Sequence, residues 1–138
     1  MIKQRQFIHA GIAAGLAEFF GDHMLANGVI WPKEDVEPRP YQLHLLSGTN
    51  SRFMRFELHE VGPSDTSIPL SSEPLYFDVI GIDHGPAGSP STVCRLLSEP
   101  GSHYDIIVDF SNVTPGNRVI MKNVLGDVPY GGKNEPPA

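Results

Sequence analysis

Apolar and polar residues alternate along several short segments of the chain. The clearest case is residues 104–110, in which Tyr104, Ile106, Val108 and Phe110 share one face. A period of two is that of a half-buried β-strand. Similar short runs predict further strands over residues 2–7, 41–47, 53–58, 77–82, 92–97 and 118–123. The pattern therefore predicts an all-β domain.

Turn-forming residues separate these strands, since the chain contains 14 Gly and 13 Pro. Asn27-Gly28 lies between two short apolar runs, and this dipeptide supplies the positive φ angles of a type I′ hairpin turn. Residues 61–74 and 84–90 are predicted to be a long loop and a Gly/Pro turn region. Residues 9–16 are compatible with a short helix or with an irregular loop.

A length of 138 residues suits one domain, over residues 1–138. A chain of this size buries roughly two-thirds of the surface that it exposes when unfolded, which is enough for a core. Residues 126–138 carry no strand pattern and are predicted to form a loose C-terminal tail.

Charge and composition exclude several classes of function. The formal net charge is −6 and no cluster of Lys or Arg is present, so nucleic acid is not an expected partner. No apolar run approaches the ~20 residues that span a bilayer, so no membrane partner is expected. The start of the chain, residues 1–7, lacks the apolar core of a signal peptide. Cys94 is the only cysteine, which excludes an internal disulfide.

Five short runs occur in an order and spacing that resemble one known domain. They are Asn27-Gly28 with Trp31-Pro32, Val36-Glu37-Pro38-Arg39, Asn50-Ser51-Arg52, Ile80-Gly81-Ile82-Asp83, and Tyr104 to Phe110. Together they resemble the middle cupredoxin domain of three-domain multicopper oxidases of the laccase, bilirubin oxidase and spore-coat type. The resemblance implies a Greek-key, cupredoxin-like β-sandwich. Members of that family continue past residues 126–131 into one more core strand, so the last strand is expected to be missing here.

The resemblance also implies a role and a set of partners. In the family this domain carries none of the principal copper ligands, and the first and third cupredoxin domains carry them. The chain is therefore expected to be a non-catalytic spacer between copper-bearing domains, with copper in the parent family and no cofactor of its own. A missing strand would leave an open sheet edge beside residues 104–110 or their neighbour, where self-association is expected. A free-standing binding module without copper and a weak surface metal binder remain as alternatives.

The residues that could carry chemistry agree with a copper-free domain. Copper sites of this family use His-x-His pairs and a His-Cys-His run with a downstream Met, and neither arrangement is present. The closest two histidines are 14 residues apart. The six are His9, His23, His44, His59, His84 and His103. We expect them to face solvent or other domains, and we expect no catalytic, cofactor-binding or metal-ligating residue in the chain.

Four further side chains receive structural interpretations. Cys94 lies between Val93 and Arg95 and is expected to be a small buried residue on a strand. Trp31 is expected to be a packed aromatic. The resemblance implies that Arg39 and Arg52 brace loops or domain contacts.

Overall fold

The computed structural model describes residues 23–64 and 68–125, and these ranges contain nine β-strands and no helix. The predictions for residues 2–7, 9–16 and 126–138 lie outside the described residues. The chain divides into two units, Met1–Asp35 and Val36–Ala138, each of which is described by itself. No helix in the described part is long and apolar enough to cross a membrane.

In the first unit, the described residues form a hairpin. Strands β1 (Leu25–Ala26) and β2 (Val29–Ile30) pair antiparallel, and the turn between them has φ values of 50° at Asn27 and 79° at Gly28. Two successive positive φ angles are those of a type I′ turn, which confirms the predicted hairpin. Trp31 follows with a φ of 53° and is 80% exposed, so the expectation of a packed aromatic is wrong.

The second unit contains two antiparallel sheets. Their strands are β3 (Pro40–Leu46), β4 (Met54–Val61), β5 (Phe77–Ile82), β6 (Gly85–Val93), β7 (Leu96–Ser98), β8 (His103–Asp109) and β9 (Arg118–Asn123). One sheet has the order β3-β8-β5-β6 and the other has the order β7-β4-β9. The strands predicted at residues 41–47, 53–58, 77–82, 104–110 and 118–123 are confirmed, and their ends agree within three residues.

The hydrophobic core lies between these two sheets. Leu58 and Leu96 come from the three-stranded sheet, and the four-stranded sheet contributes Phe77, Val79, Ile106 and Val108. The alternation along residues 104–110 places Ile106 and Val108 in this core, with relative exposures of 1% and 0%. The all-β sandwich predicted from the sequence is confirmed.

The region from residue 84 to residue 98 differs from the prediction. A nine-residue strand, β6, occupies most of the expected Gly/Pro turn region, and Leu96–Ser98 pairs with β4 in the other sheet. Pro86 and Pro90 are compatible with β6 because it is the outer strand of its sheet, where alternate N–H groups need no partner. The single strand predicted over residues 92–97 is wrong, because the chain crosses from one sheet to the other at Cys94.

Part of the predicted long loop at residues 61–74 runs beside β4 and forms backbone hydrogen bonds with it. Strand β4 itself continues to Val61. Beyond the short strand β7, Leu70 N–H donates to Glu60 O at 2.9 Å and Leu75 N–H donates to Leu58 O at 2.8 Å. These bonds satisfy backbone groups of β4 that would otherwise lie unpaired, so the segment continues the sheet where β7 stops.

The strand order of the described residues bears on the open sheet edge that was expected beside residues 104–110 or their neighbour. Strand β8 lies between β3 and β5 and has a partner on each side, so the open edge is not at residues 104–110 themselves. Among the described strands, β3 and β6 are the outer ones of this sheet, and the open edge left by a missing last strand stays a prediction.

Candidate functional site

The histidines that were considered as metal ligands are dispersed over the fold. In the described part, His23 and His84 are exposed outside the strands, and His44, His59 and His103 lie on β3, β4 and β8. No group of three or more His, Cys, Asp or Glu side chains in residues 23–64 and 68–125 is placed to hold a metal ion. His9 is outside these ranges.

Cys94 is half-buried at the bend between β6 and β7 and not on a strand, so its predicted position is wrong.

Two of the histidines pair with aspartates on the outer face of the four-stranded sheet. His44 and Asp105 are cross-strand neighbours on β3 and β8, and the His44 Nδ1 contacts an oxygen of the Asp105 carboxylate. The backbone N–H of His103 donates to Asp83 Oδ1 at 2.5 Å, and its Nδ1 lies 3.6 Å from the same oxygen. His44 faces away from the core, as its position between Leu43 and Leu45 predicts.

A closely packed glycine and a hollow lie beside these pairs. Gly81 lies opposite Asp105, and a Cβ on Gly81 would be 3.0 Å from Asp105 Oδ2 and 3.1 Å from its Cβ. The hollow measures about 230 Å³ and is lined by Ile82, Asp83, Gly85, His103, Tyr104 and Asp105. Burial, together with the negative charges of Glu99 and Asp83, raises the pKa of the Tyr104 phenol. The hollow is therefore an acidic, open depression, and the raised pKa keeps the Tyr104 phenol protonated at neutral pH.

A second group of charged side chains is buried on the outward face of β4. His59 was expected to face solvent or another domain, yet its side chain is only 8% exposed, so that expectation is wrong. The neighbouring Glu57 side chain is only 10% exposed. Arg95 Nε donates to Glu57 Oε1 at 2.6 Å, and His59 Nε2 lies 2.9 Å from Glu57 Oε2. Each carboxylate oxygen thus has its own partner, which is what the burial of a charged group requires.

The electrostatics of this group are those of a structural ion cluster. Burial raises the pKa of Glu57, but the hydrogen bonds from Arg95 and His59 and their charges outweigh it, so the pKa lies below its usual range. An ionised carboxylate has no proton to give, so the shared hydrogen belongs to His59 Nε2. The His59 Nδ1 is buried with no hydrogen-bond partner. The cluster therefore keeps Glu57 ionised although its side chain is buried.

Arg39 braces the segment that leads into β3. Its Nε pairs with Glu37 Oε2 at 3.0 Å, and its guanidinium lies 4.9 Å from the centre of the Tyr41 ring. The Tyr41 hydroxyl accepts the backbone N–H of Glu37 at 2.9 Å, and its ring packs edge-on against Phe110 at 5.8 Å. These contacts match the loop-bracing role implied for Arg39. Arg52 is half-buried in the turn before β4.

Comparison with known proteins gives a consistent set of relatives. No family model matches the chain. The multicopper oxidase LPR1 homolog 5 of Oryza sativa subsp. japonica is 33% identical over 119 residues, which are 86% of this chain and 16% of that protein. The bilirubin oxidase of Albifimbria verrucaria is 29% identical over 113 residues, which are 82% of this chain and 18% of that protein. The chain thus spans less than a fifth of the length of these curated relatives.

A solved structure agrees in fold as well as in sequence. The McoA multicopper oxidase of the hyperthermophile Aquifex aeolicus superposes with a TM-score of 0.64 and 31% identity, over 73% of this chain and 20% of that one. With this match, the cupredoxin-like fold predicted from the sequence is confirmed.

Proposed function

The chain belongs to the multicopper oxidase family, and we propose that it is the copper-free middle domain of such an oxidase, a structural spacer between two copper-bearing domains. The observation that carries the proposal is which copper-binding side chains the chain contains and how they are spaced. The 138 residues contain neither a His-x-His pair nor a His-Cys-His run. A copper site made of His and Cys ligands needs imidazole and thiolate donors arranged around one ion.

The side chains present do not fit a copper centre of this kind. Cys94 has Val93 and Arg95 as neighbours and no adjacent histidine. In the described part, His44, His59 and His103 each lie against a single carboxylate and not against one another. No redox step is therefore assigned to this chain, and any oxidase activity is proposed for the longer polypeptide of which it would be one domain.

The packing supports a spacer role. The two sheets enclose one apolar core, and the Glu57, His59 and Arg95 cluster ties β4 to the crossover between the sheets. A packed core and satisfied polar contacts make the domain rigid. A rigid domain can hold the copper sites of two flanking domains at a fixed distance. In the Aquifex aeolicus oxidase, about four-fifths of the chain lies outside the matched region. That is ample length for separate copper-bearing domains.

Copper titration of the purified chain tests the copper-free half of the proposal. We expect no intense thiolate-to-copper absorption band and no oxygen consumption with a phenol or bilirubin at full copper loading. Cys94→Ala is the matched control. A band that appears in the unmodified chain and vanishes in Cys94→Ala contradicts the proposal.

A domain exchange tests the spacer half. The Bacillus subtilis laccase is 30% identical over 108 residues, so its matching segment offers a site for replacement by this chain. We expect the folded hybrid to hold as many copper ions per molecule as the parent laccase. A folded hybrid with fewer copper ions would show that the laccase segment removed in the exchange supplies copper ligands. Gene sequence on either side of this chain that encodes His-x-His upstream and His-Cys-His downstream separates the spacer from a free-standing binding module.

A further inference from the structure

The turn of the first hairpin consists of an asparagine followed by a glycine, and no other Asn-Gly dipeptide occurs in the 138 residues. Asparagine is one of the thermally labile residues of proteins. It loses its side-chain amide when the backbone nitrogen of the next residue attacks its Cγ, and a following glycine, which has no Cβ, hinders that attack least. Gly28 is exposed, and a Cβ placed on it would meet nothing within 4 Å beyond its chain neighbours.

The geometry of the turn keeps the attacking nitrogen out of the hydrogen bond that closes the hairpin. The strand partners on either side of the turn are Ala26 and Val29. A turn with two central residues is closed by a hydrogen bond between the residues that flank them, so the Gly28 N–H takes no part in it. Hydroxide in the solvent can therefore remove the Gly28 amide proton and leave a nucleophilic nitrogen.

The hairpin itself is small and exposed. In the described part of the chain it consists of two strands of two residues each, and every residue from 23 to 40 is exposed. A two-stranded hairpin is marginally stable in water, and elements of low stability open without unfolding of the whole protein. Opening releases Asn27 from its φ of 50° and lets the Gly28 nitrogen approach Asn27 Cγ.

We propose that Asn27 is a site of spontaneous deamidation, which needs water and no enzyme. The deprotonated Gly28 nitrogen bonds to Asn27 Cγ, the bond between Cγ and the side-chain nitrogen breaks, and that nitrogen leaves as ammonia. Water then opens the cyclic imide on one side or the other of the Gly28 nitrogen. Cleavage at Cγ gives aspartate at position 27, and cleavage at the main-chain carbonyl carbon gives isoaspartate. This inference goes beyond the proposed function and does not depend on it.

The two products differ in what they do to the hairpin. Aspartate followed by glycine is also a type I′ sequence, so the first product keeps the turn. Isoaspartate routes the main chain through the former side chain and adds one atom to the backbone of the turn. Because the length of the loop selects the turn type, the second product cannot keep Ala26 opposite Val29.

The other asparagines of the described residues are less suited to this reaction. Asn117 Nδ2 donates to Glu60 Oε1 at 2.7 Å, so its side chain must first break a hydrogen bond. Asn112 and Asn123 are each followed by valine, whose branched Cβ crowds the attacking nitrogen. Asn50 is exposed and followed by serine, which makes it the nearest competitor.

Incubation of the purified chain at neutral and mildly alkaline pH, followed by peptide mass spectrometry, tests the proposal. We expect the mass gain that replaces –NH2 by –OH to appear at Asn27 several-fold faster than at Asn50 or any other asparagine. The rate should rise with pH, because the attacking nitrogen must lose its proton. Electron-transfer fragmentation should find both aspartate and isoaspartate at position 27. Circular dichroism at each time point shows whether the chain is still folded.

A matched pair of glycine variants separates the chemistry of the dipeptide from loosening of the turn. Gly28→Ala should slow the reaction at Asn27 several-fold, although alanine at a φ of 79° loosens the turn. The control is Gly101→Ala, because Gly101 has a φ of 78° and nothing within 4 Å of its Cβ but follows a proline. We expect the control to leave the rate at Asn27 unchanged.

Three outcomes overturn the inference: faster reaction at another asparagine, no product at Asn27 when Asn50 has reacted, or a Gly28→Ala rate equal to that of the unmodified chain or above it. Amide exchange gives a second measurement. Asn27→Asp should exchange in β1 and β2 as the unmodified chain does, whereas the isoaspartate fraction should exchange faster. Equal exchange in these two forms would contradict the assigned effect of isoaspartate on the hairpin.

Discussion

Removal of the Arg95 side chain is expected to destabilise the fold through a carboxylate 38 positions away in the sequence. In Arg95→Ala, Glu57 keeps only His59 as a partner, although its side chain is 10% exposed. A hydrogen bond to a charged group contributes about 1.5–3 kcal/mol. Because the Arg95 side chain is itself 56% exposed, solvent screens part of this interaction, and we expect a loss of about 1.5–2 kcal/mol. For a chain of this length, that corresponds to a melting temperature lower by roughly 5–10 °C.

The loss should depend on pH in a defined direction. The pKa of Glu57 lies below its usual range in the folded chain, so ionised Glu57 contributes stability that is present above the pKa of an unfolded glutamate, about 4.3, and is lost as the pH falls through the folded value. The difference in unfolding free energy between the native chain and Arg95→Ala should therefore be largest near neutral pH. It should shrink as the solution is acidified.

Urea unfolding followed by circular dichroism, at neutral pH and at several acid pH values, measures this difference. Arg55→Ala is the matched control, because Arg55 is an exposed arginine on the same face of β4, two residues from Glu57. We expect the control to change the unfolding free energy by less than about 0.5 kcal/mol. Equal losses in the two variants, or an Arg95→Ala loss that is independent of pH, would refute the role assigned to the cluster.

Two glycine substitutions test other parts of the fold. Gly81→Ala should cost about 1–3 kcal/mol, because the new Cβ would lie 3.0 Å from Asp105 Oδ2. Gly88→Ala, with nothing within 4 Å of its Cβ, should be near neutral in the same urea assay, and equal costs would contradict the tight fit at Gly81. Gly28→Val should strain the type I′ turn by about 1–3 kcal/mol, since Gly28 has a φ of 79°. Faster amide exchange in β1 and β2 measures this effect, and unchanged exchange would mean that the turn tolerates a β-branched residue.

Local sequence patterns predicted the strands that use them. Residues 104–110 alternate, apart from Ile107, because β8 has one face in the core, and residues 77–82 end at a turn. Between two short apolar runs, Asn27-Gly28 strongly favours a type I′ turn, so the hairpin was predictable from these two residues. The lack of a His-x-His pair and of a His-Cys-His run is a property of the sequence itself, and the copper-free role inferred from it stays a prediction.

The side-chain pairs were not predictable, because their members are far apart in the chain. His44 meets Asp105 across 61 positions, and Glu57 meets Arg95 across 38. A polar residue on a strand normally indicates a face that is exposed to solvent. Only the fold shows that Glu57 lies on a buried face and that Arg95 neutralises its charge there. Strand β6 was missed for a related reason. Its glycines and prolines are turn formers in a local reading, and only its place at the margin of a sheet makes them acceptable.

The pairing of β3 with β8 has a consequence for synthesis of the chain. His44 and Asp105 are neighbours in the sheet but are separated by 61 positions. At ~5–20 residues per second, a ribosome needs about 3–12 s to make that intervening stretch. Strand β3 leaves the ribosome without β8, its partner in the described part of the fold, for that period. On a polysome, neighbouring nascent chains would expose the same uncharged strand at the same time, so the rate of translation between these two positions sets how long the chains can pair with each other before each can complete its own sheet.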